Sequence, residues 1–135
     1  MKLEEFETVY NQDRGTIKDK EKLENDLIKI LGKENVLSDE LDLFAYTKDS
    51  TLIGFNWILE GKIAARPDFV ALPDNEEQII QILKLANQEK VPVVPYGEGS
   101  GVVGGAIPVR GGIIIDMKKF NSIIAIKATR LRWRS

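Results

Sequence analysis

The alternation of apolar and charged residues predicts two helices in the first third of the chain. Between residues 17 and 31, leucines and isoleucines recur every three or four positions among charged side chains, which is typical of an amphipathic helix. Gly32 follows as a favourable residue for the end of that helix. A second, shorter helix is predicted over residues 39–46, with Ser38 as its N-cap. The residues that this helix is expected to bury are Leu41, Phe44 and Ala45.

The segments on either side of these helices carry weaker patterns. Residues 1–16 are polar, and we expect a frayed lead-in there. Residues 47–66 are predicted to be irregular, although they contain several large apolar side chains. Trp57 lies among them and is expected to be a loop residue that folds onto the core; stacking on a ligand is the alternative.

Short apolar runs bounded by proline or glycine predict strands in the second half of the chain. The predicted strands are at 69–72, 91–94, 112–116 and 122–126, with a single helical turn at 117–121 before the last.

A helix is predicted over residues 75–89, between the first two of these strands. Asp74 and Glu77 have the spacing of a capping box at its start. The residues expected on its buried face are Ile79, Ile82, Leu83 and Ala86. Strand, helix and strand in this order predict a βαβ unit with parallel strands and a right-handed crossover.

The connection between the second and third predicted strands is rich in glycine. Five of the 11 glycines in the chain fall between Gly97 and Gly105. A backbone without Cβ atoms can approach a ligand closely, and its successive N–H groups can converge on a phosphate or pyrophosphate. Ser100 adds a hydroxyl donor, and the carboxyl ends of parallel strands are where open α/β sheets bind ligands. The alternative is a tight connection that needs glycine only for its turns.

Two common phosphate-binding motifs do not fit this loop. No lysine follows a glycine pair, so a P-loop is disfavoured. The spacing from Gly99 to Gly104 satisfies the G-x-G-x-x-G pattern, but a nicotinamide-binding Rossmann loop must open a helix. Pro108 and Gly111 leave no room for one, and the chain is predicted to enter a strand instead. Glu98 suits an anion site only if its side chain faces solvent while its N–H faces the anion.

Composition excludes several classes of function. The 135 residues include no cysteine and no histidine, which excludes disulfides, imidazole or thiolate metal sites, His-based triads and covalent flavin attachment through His or Cys within this chain. The net charge of −2 favours neither nucleic acid nor anionic membrane as a partner. No apolar run reaches the roughly 20 residues that span a bilayer, and the acidic N-terminus lacks an apolar signal region, so a cytoplasmic location is the default expectation.

The last nine residues carry only basic charges. We expect a tail without a selected role, and phosphate binding is the alternative. The basic residues are Lys127, Arg130, Arg132 and Arg134.

Taken together, the motifs of the second half resemble the FAD-linked oxidases of the p-cresol methylhydroxylase (PCMH) or vanillyl-alcohol oxidase type. Within that family they are most similar to the glycolate oxidase and D-lactate dehydrogenase group. The resemblance covers roughly residues 65–126, and residues 36–50 are similar to the lead-in of that group. The segments that carry it, in order, are Pro67-Asp-Phe-Val-Ala-Leu-Pro73, Val91-Pro-Val-Val-Pro95, the glycine-rich loop through Pro108, and Gly111-Gly-Ile-Ile-Ile-Asp-Met117 with Asn121.

This resemblance implies an α+β fold: the N-terminal half of a PCMH-type FAD-binding domain, with a βαβ unit in a small mixed sheet, preceded by N-terminal helices. The implied organisation is a helical lead-in at 1–64, a partial FAD-binding domain at 65–126 and an atypical basic tail at 127–135. The implied cofactor is non-covalent FAD, held at its pyrophosphate by backbone N–H groups. By position, the cofactor-binding residues are Tyr96, Gly97, Glu98, Gly99, Ser100 and Gly101, with Gly104 and Gly105 beside the flavin.

The family activity is oxidation of a 2-hydroxy acid, with hydride transfer to the flavin. Family enzymes are several hundred residues long, so we expect a truncated or frameshifted reading frame, or one piece of a split enzyme. No catalytic residue is predicted. The implied partners are the remaining part of the enzyme or an electron-acceptor protein, through which the chain would reach a membrane. The alternative function is a non-catalytic interaction module, or an inactive fragment, that docks on a partner chain.

Overall fold

The computed structural model describes residues 5–9, 15 and 17–124. Its helices and strands are, in chain order, β1 (Glu7–Thr8), α1 (Lys20–Leu31), β2 (Val36–Leu37), α2 (Glu40–Phe44), α3 (Leu52–Leu59), β3 (Lys62–Ile63), β4 (Phe69–Ala71), α4 (Glu76–Glu89), β5 (Val93–Tyr96) and β6 (Ile113–Asp116). A 3-10 turn over Lys33–Asn35 leads from α1 into β2.

Four of the strands form one mixed sheet in the order β2-β4-β6-β5. β2 is antiparallel to β4, whereas β4 and β5 both run parallel to β6. Ile113 is therefore in register with Phe69 on one side and with Val93 on the other. β1 and β3 form a separate parallel pair.

The position of β6 differs from the simplest expectation for a βαβ unit. β4 and β5 are parallel, as predicted, but β6 lies between them. β6 is an isoleucine run that ends in Asp116, and all four of its residues are buried. A strand of this composition is covered on both faces, which is the environment of a central parallel strand.

The two faces of the sheet are covered by different parts of the chain. On one face, α1 and α4 pack against alternate strand residues, including Phe69, Ile113 and Ile115. On the other, Leu43 and Tyr46, in and just after α2, pack against the intervening residues. Side chains of neighbouring strand residues point to opposite faces, so a sheet covered on both sides needs apolar residues at every position.

The structure confirms the two long helices and refines their ends. Gly32 ends α1 with a φ of +85°, as its position suggested. The cap of α4 is formed one residue later than predicted. Asn75 accepts from the amide of Gln78 at 3.0 Å, and the side chain of Gln78 in turn accepts from the amide of Asp74 at 2.7 Å. The predicted capping box of Asp74 and Glu77 is therefore wrong.

Three residues predicted to be buried are exposed. Leu41 on α2 and Ala45 at its C-cap are both exposed, and Leu43 is buried instead. Ser38 does not cap this helix, because its hydroxyl donates to Glu24 at 2.7 Å and Asp39 occupies the N-cap position. On α4, Leu83 is 47% exposed, whereas Ile82 and Ala86 are buried. Helical spacing identifies an apolar stripe, but it does not say where the stripe ends.

Residues 47–66 are more ordered than predicted, since they contain α3 and β3. Trp57 lies on α3 and packs against Ala64, Ala65 and Ile107. Residues 117–121 form a turn closed by Phe120 on Met117 rather than a helical turn. No strand follows at 122–124, and the rest of the predicted fourth strand, like the basic tail, lies outside the described residues.

Candidate functional site

The glycine-rich loop joins two neighbouring parallel strands, β5 and β6, without a helix. Parallel neighbours need a long crossover, which is most often helical. A Rossmann dinucleotide site needs a helix that begins at the end of its glycine-rich loop. No helix lies between Gly104 and β6, so the loop is not of the Rossmann type. Gly99 and Gly104 have φ of +66° and +83°, values that side chains with a Cβ rarely adopt.

The loop exposes a row of unpaired backbone donors. From Gly97 to Val103, none of the seven N–H groups donates a hydrogen bond to a residue that the structure describes. Six of these seven residues are exposed, and Gly99 is half-buried. A Cβ placed on Gly97 or on Gly105 would meet no atom within 4 Å. The loop thus offers successive donors with free space beside them, which is the arrangement that binds anions through backbone amides.

Three backbone groups of the loop are held by residues that precede α3. The carboxylate of Asp49 accepts from the amide of Gly104 at 2.7 Å and from that of Thr51 at 3.0 Å. Ser50 donates its amide to the carbonyl of Gly101 at 2.9 Å and its hydroxyl to the carbonyl of Gly99 at 3.2 Å.

A cluster of ionisable side chains flanks the start of the loop. The phenol of Tyr46 donates to the buried carboxylate of Asp116 at 2.7 Å, and the ammonium of Lys118 lies 2.9 Å from that phenol and 2.8 Å from the carboxylate. The hydrogen bond to Asp116, with a further one to Tyr46, raises the pKa of Lys118 well above its ordinary range. Burial raises the pKa of Tyr46 and of Tyr96.

Tyr96, the last residue of β5, connects this cluster to the loop. Its ring makes an edge-on contact with that of Tyr46, with centroids 4.9 Å apart. Gly97 and Glu98 follow, and together with Lys118 these residues line an open depression of about 360 Å³. The side chain of Glu98 is exposed, as an anion site at this position requires.

Of the eight residues predicted for the cofactor site, Tyr96 is the last residue of β5 and the other seven lie in the loop that follows it. Their amides differ in pairing. The amides of five of them bind no acceptor in the described part of the chain, whereas the amide of Gly104 is bound to Asp49; the five are Gly97, Glu98, Gly99, Ser100 and Gly101. Sequence reasoning assigned no role to Asp49, Ser50, Tyr46 or Lys118. One available signal was that the loop carbonyls need donors, and the polar run before α3 lies in the segment that resembles the family lead-in.

The fold and this loop define a class of cofactor-binding α+β domain, in which an irregular glycine-rich crossover presents its amides at the carboxyl end of a parallel strand. Residues 67–134 match the family described as the FAD binding domain, just over half of the 135 residues. The chain belongs to this family, and FAD is the cofactor that the family binds.

Curated relatives place the chain near two named oxidoreductases. Glycolate oxidase subunit GlcD of Bacillus subtilis is 30% identical over 105 residues, which cover 78% of this chain and 20% of the relative. The mitochondrial D-lactate dehydrogenase (cytochrome) of Arabidopsis thaliana is 40% identical over 60 residues, or 44% of this chain and 11% of the relative. The chain thus spans about a fifth or less of the length of these relatives.

Solved structures confirm the fold class. An alkyldihydroxyacetonephosphate synthase superposes with a TM-score of 0.76 over 94% of this chain and 25% of that one, at 23% identity, which shows the fold alone. p-Cresol methylhydroxylase with bound substrate gives a TM-score of 0.62 over 78% of this chain and 20% of that one, at 30% identity. The family resemblance inferred from the sequence motifs is confirmed. Among the described residues, no helix is long and apolar enough to cross a membrane.

Proposed function

We propose that the chain supplies the pyrophosphate-binding part of the FAD site in an oxidoreductase that acts on 2-hydroxy acids. In this proposal the backbone amides from Tyr96 to Gly101 hold the diphosphate, and Gly104 and Gly105 lie beside the flavin. The observation that carries the proposal is the run of unpaired amides that follows β5. Unpaired donors are favourable where an anion accepts from them, and charge-assisted hydrogen bonds are the stronger kind.

The charges around the loop suit a diphosphate. Glu98 extends towards solvent, so it need not face the anion. The carboxylate of Asp49 is committed to two amides. Lys118 lies beside Gly97 and Glu98, and its charge neutralises that of the buried Asp116 carboxylate near the start of the loop. The residues present therefore fit the diphosphate group of the family cofactor.

An apolar groove adjoins the second half of the loop. It measures about 490 Å³ and lies between α3 and the loop. Its lining includes Trp57, Val103, Gly104 and Ile107. Apolar walls with a few polar groups are typical of sites for ring-shaped cofactors, which supports the assignment of Gly104 and Gly105 to the flavin side.

When bound, FAD would supply the oxidation itself, by accepting a hydride from the substrate carbon that carries the hydroxyl group. The role proposed for this chain is to bind and orient the cofactor, and none of its residues is assigned a catalytic role. Glycolate and D-lactate, which appear in the names of the relatives, are both 2-hydroxy acids. That shared chemistry is the basis for the proposed substrate class.

A flavin titration of the purified chain tests the proposal. We expect weak FAD binding by the chain alone, competition by ADP, which carries the same diphosphate, and little competition by riboflavin, which carries none. Turnover of glycolate or D-lactate is expected only with the complementary part of an enzyme. A version of the B. subtilis relative that lacks its matched region is a suitable partner. The proposal is wrong if neither FAD nor ADP binds, alone or with that partner.

Exposed apolar side chains favour docking as a second candidate function. Leu52 and Leu59 on α3 are 84% and 83% exposed, and Val103 on the loop is exposed as well. Exposed apolar surface is a feature of protein interaction sites. A double variant, Leu52→Ser with Leu59→Ser, should abolish association with the partner described above while leaving ADP binding intact. Association at wild-type strength would argue against docking through α3.

A further inference from the structure

The polar connection between α2 and α3 forms hydrogen bonds with backbone groups of the glycine-rich loop. Asp49 is 3% exposed, and in the described part of the chain its charge meets two backbone amides and no cation within ion-pair distance. Ser50 supplies the two donors that bind the carbonyls of Gly99 and Gly101. The connection therefore offers acceptors to one loop amide and donors to two loop carbonyls.

These contacts fix the direction of particular amides. In a trans peptide unit, the C=O of one residue and the N–H of the next are coplanar and point in opposite directions. The carbonyl of Gly99 points towards Ser50, so the N–H of Ser100 points away from it. The carbonyl of Gly101 also points towards Ser50, so the N–H of Val102 is turned to the same outer side.

We propose that Asp49 and Ser50 are positioning residues for the diphosphate site: they hold the loop so that the amide of Ser100, which belongs to that site, and the amide of Val102 just beyond it face outward before an anion arrives. This inference rests on the proposed function of the loop. Groups that are already oriented bind without the cost of ordering them, so loss of a positioning contact should lower affinity even where no contact to the ligand is removed. Neither side chain itself is required to touch the diphosphate.

The test measures loop amides directly. The full ¹⁵N-labelled chain is titrated with sodium pyrophosphate and with ADP, and the amide shifts of residues 97–103 report binding. Asp49→Asn replaces one acceptor oxygen with a donor that faces an amide, and Ser50→Ala removes only the hydroxyl. Asp68→Asn is the matched control. Its buried carboxylate also accepts from a glycine amide, that of Gly112 at 2.7 Å, but these two residues precede β4 and β6, at the opposite end of the sheet.

For Asp49→Asn we expect affinity for both probes to fall about tenfold, and for Ser50→Ala about three- to tenfold, which corresponds to the loss of one hydrogen bond. Ser50→Thr keeps the hydroxyl and should restore wild-type affinity. Asp68→Asn should lower stability while the folded protein binds as tightly as the wild type. Because Ser50 is exposed, Ser50→Ala should fold even if Asp49→Asn does not.

Two different failures can be told apart. If the wild-type loop amides do not shift with either probe, the proposed function is wrong and the positioning role is overturned with it. If the wild-type amides shift and Ser50→Ala binds as tightly as the wild type, the loop is an anion site, but it is not positioned by this connection. A loss of affinity in Asp68→Asn equal to that in Asp49→Asn would also overturn the inference, because it would show a general effect of lowered stability.

Discussion

Alanine substitutions at Gly97 and Gly99 should have opposite effects on stability, although the two glycines are two residues apart. At Gly97 an added Cβ meets no atom within 4 Å, and φ lies outside the left-handed region. Alanine is compatible with such a site and restricts the unfolded chain, so the free energy of unfolding should rise by about 0.4–1 kcal/mol. Gly97→Ala should nevertheless weaken FAD or ADP binding at least about tenfold, because the methyl group occupies space through which the anion reaches the amides.

At Gly99 the substitution destabilises the protein itself. A φ of +66° is unfavourable for alanine by about 1–2 kcal/mol. The new Cβ would also lie 2.9 Å from Cζ of Tyr96, so the ring would have to move away from its contact with Tyr46. An aromatic pair of this kind contributes about 0.5–1.5 kcal/mol. Gly99→Ala should therefore lower the free energy of unfolding by about 2–3 kcal/mol, whether or not a ligand is present.

Urea unfolding followed by circular dichroism measures the stability of both variants, and flavin fluorescence measures binding to the fraction that remains folded. The reasoning fails if Gly97→Ala loses more than about 1 kcal/mol, since its site would then not be open. It fails equally if Gly97→Ala is stable and binds FAD as tightly as the wild type, since the space beside that glycine would then not be used. A neutral Gly99→Ala would contradict the geometry of Tyr96.

Three further outcomes follow from the structure. Ile82→Ala removes a fully buried side chain and should lower the free energy of unfolding, measured in urea, by about 2–5 kcal/mol. Leu83→Ala, at a position 47% exposed, should lower it by less than about 1 kcal/mol. Equal losses of stability would contradict the orientation of α4. Folding raises the pKa of Lys118, so its contribution is present at neutral pH and is lost as pH rises through the folded pKa. The wild type should therefore lose more stability above about pH 10 than Lys118→Met does, and parallel pH profiles would exclude the ion pair as the cause. Asn75→Ala should lower the melting temperature, at a cost of about 1 kcal/mol, because it removes the cap of α4; an unchanged melting temperature would show that the cap contributes nothing.

The sequence predicted those parts of the fold whose signals are local. The apolar runs at β4 and β6 are short and bounded by proline or glycine, and α4 has a long helical period with a polar start. The density of glycine after β5 predicted an irregular connection there, and the structure has one; that its glycines allow close approach of a ligand stays a prediction. The family motifs lie in the same stretch, so the local pattern and the resemblance agreed.

Tertiary features were not predictable in the same way. The central position of β6 depends on which strand is covered on both faces, and the capping residue of α4 depends on a choice between Asp74 and Asn75 that spacing alone does not make. The role of Asp49 depends on a contact with Gly104, 55 residues away along the chain. From the sequence alone, an acidic residue in a polar connection is expected to be solvated. Only the folded position of the loop shows that Asp49 is buried and bound to a loop amide.

Because no helix lies between β5 and β6, the backbone groups of the loop depend on partners outside it. A helical crossover satisfies its backbone groups by internal hydrogen bonds, whereas a glycine-rich crossover leaves them to outside partners. Here the carbonyls of Gly99 and Gly101 find theirs in Ser50, and the amide of Gly104 finds its partner in Asp49. The amides from Gly97 to Val103 have no acceptor among the residues that the structure describes. A loop with two carbonyls bound on one side and a run of free amides has the polarity that a diphosphate would need. Ser50, which binds those carbonyls, lies before the matched family domain.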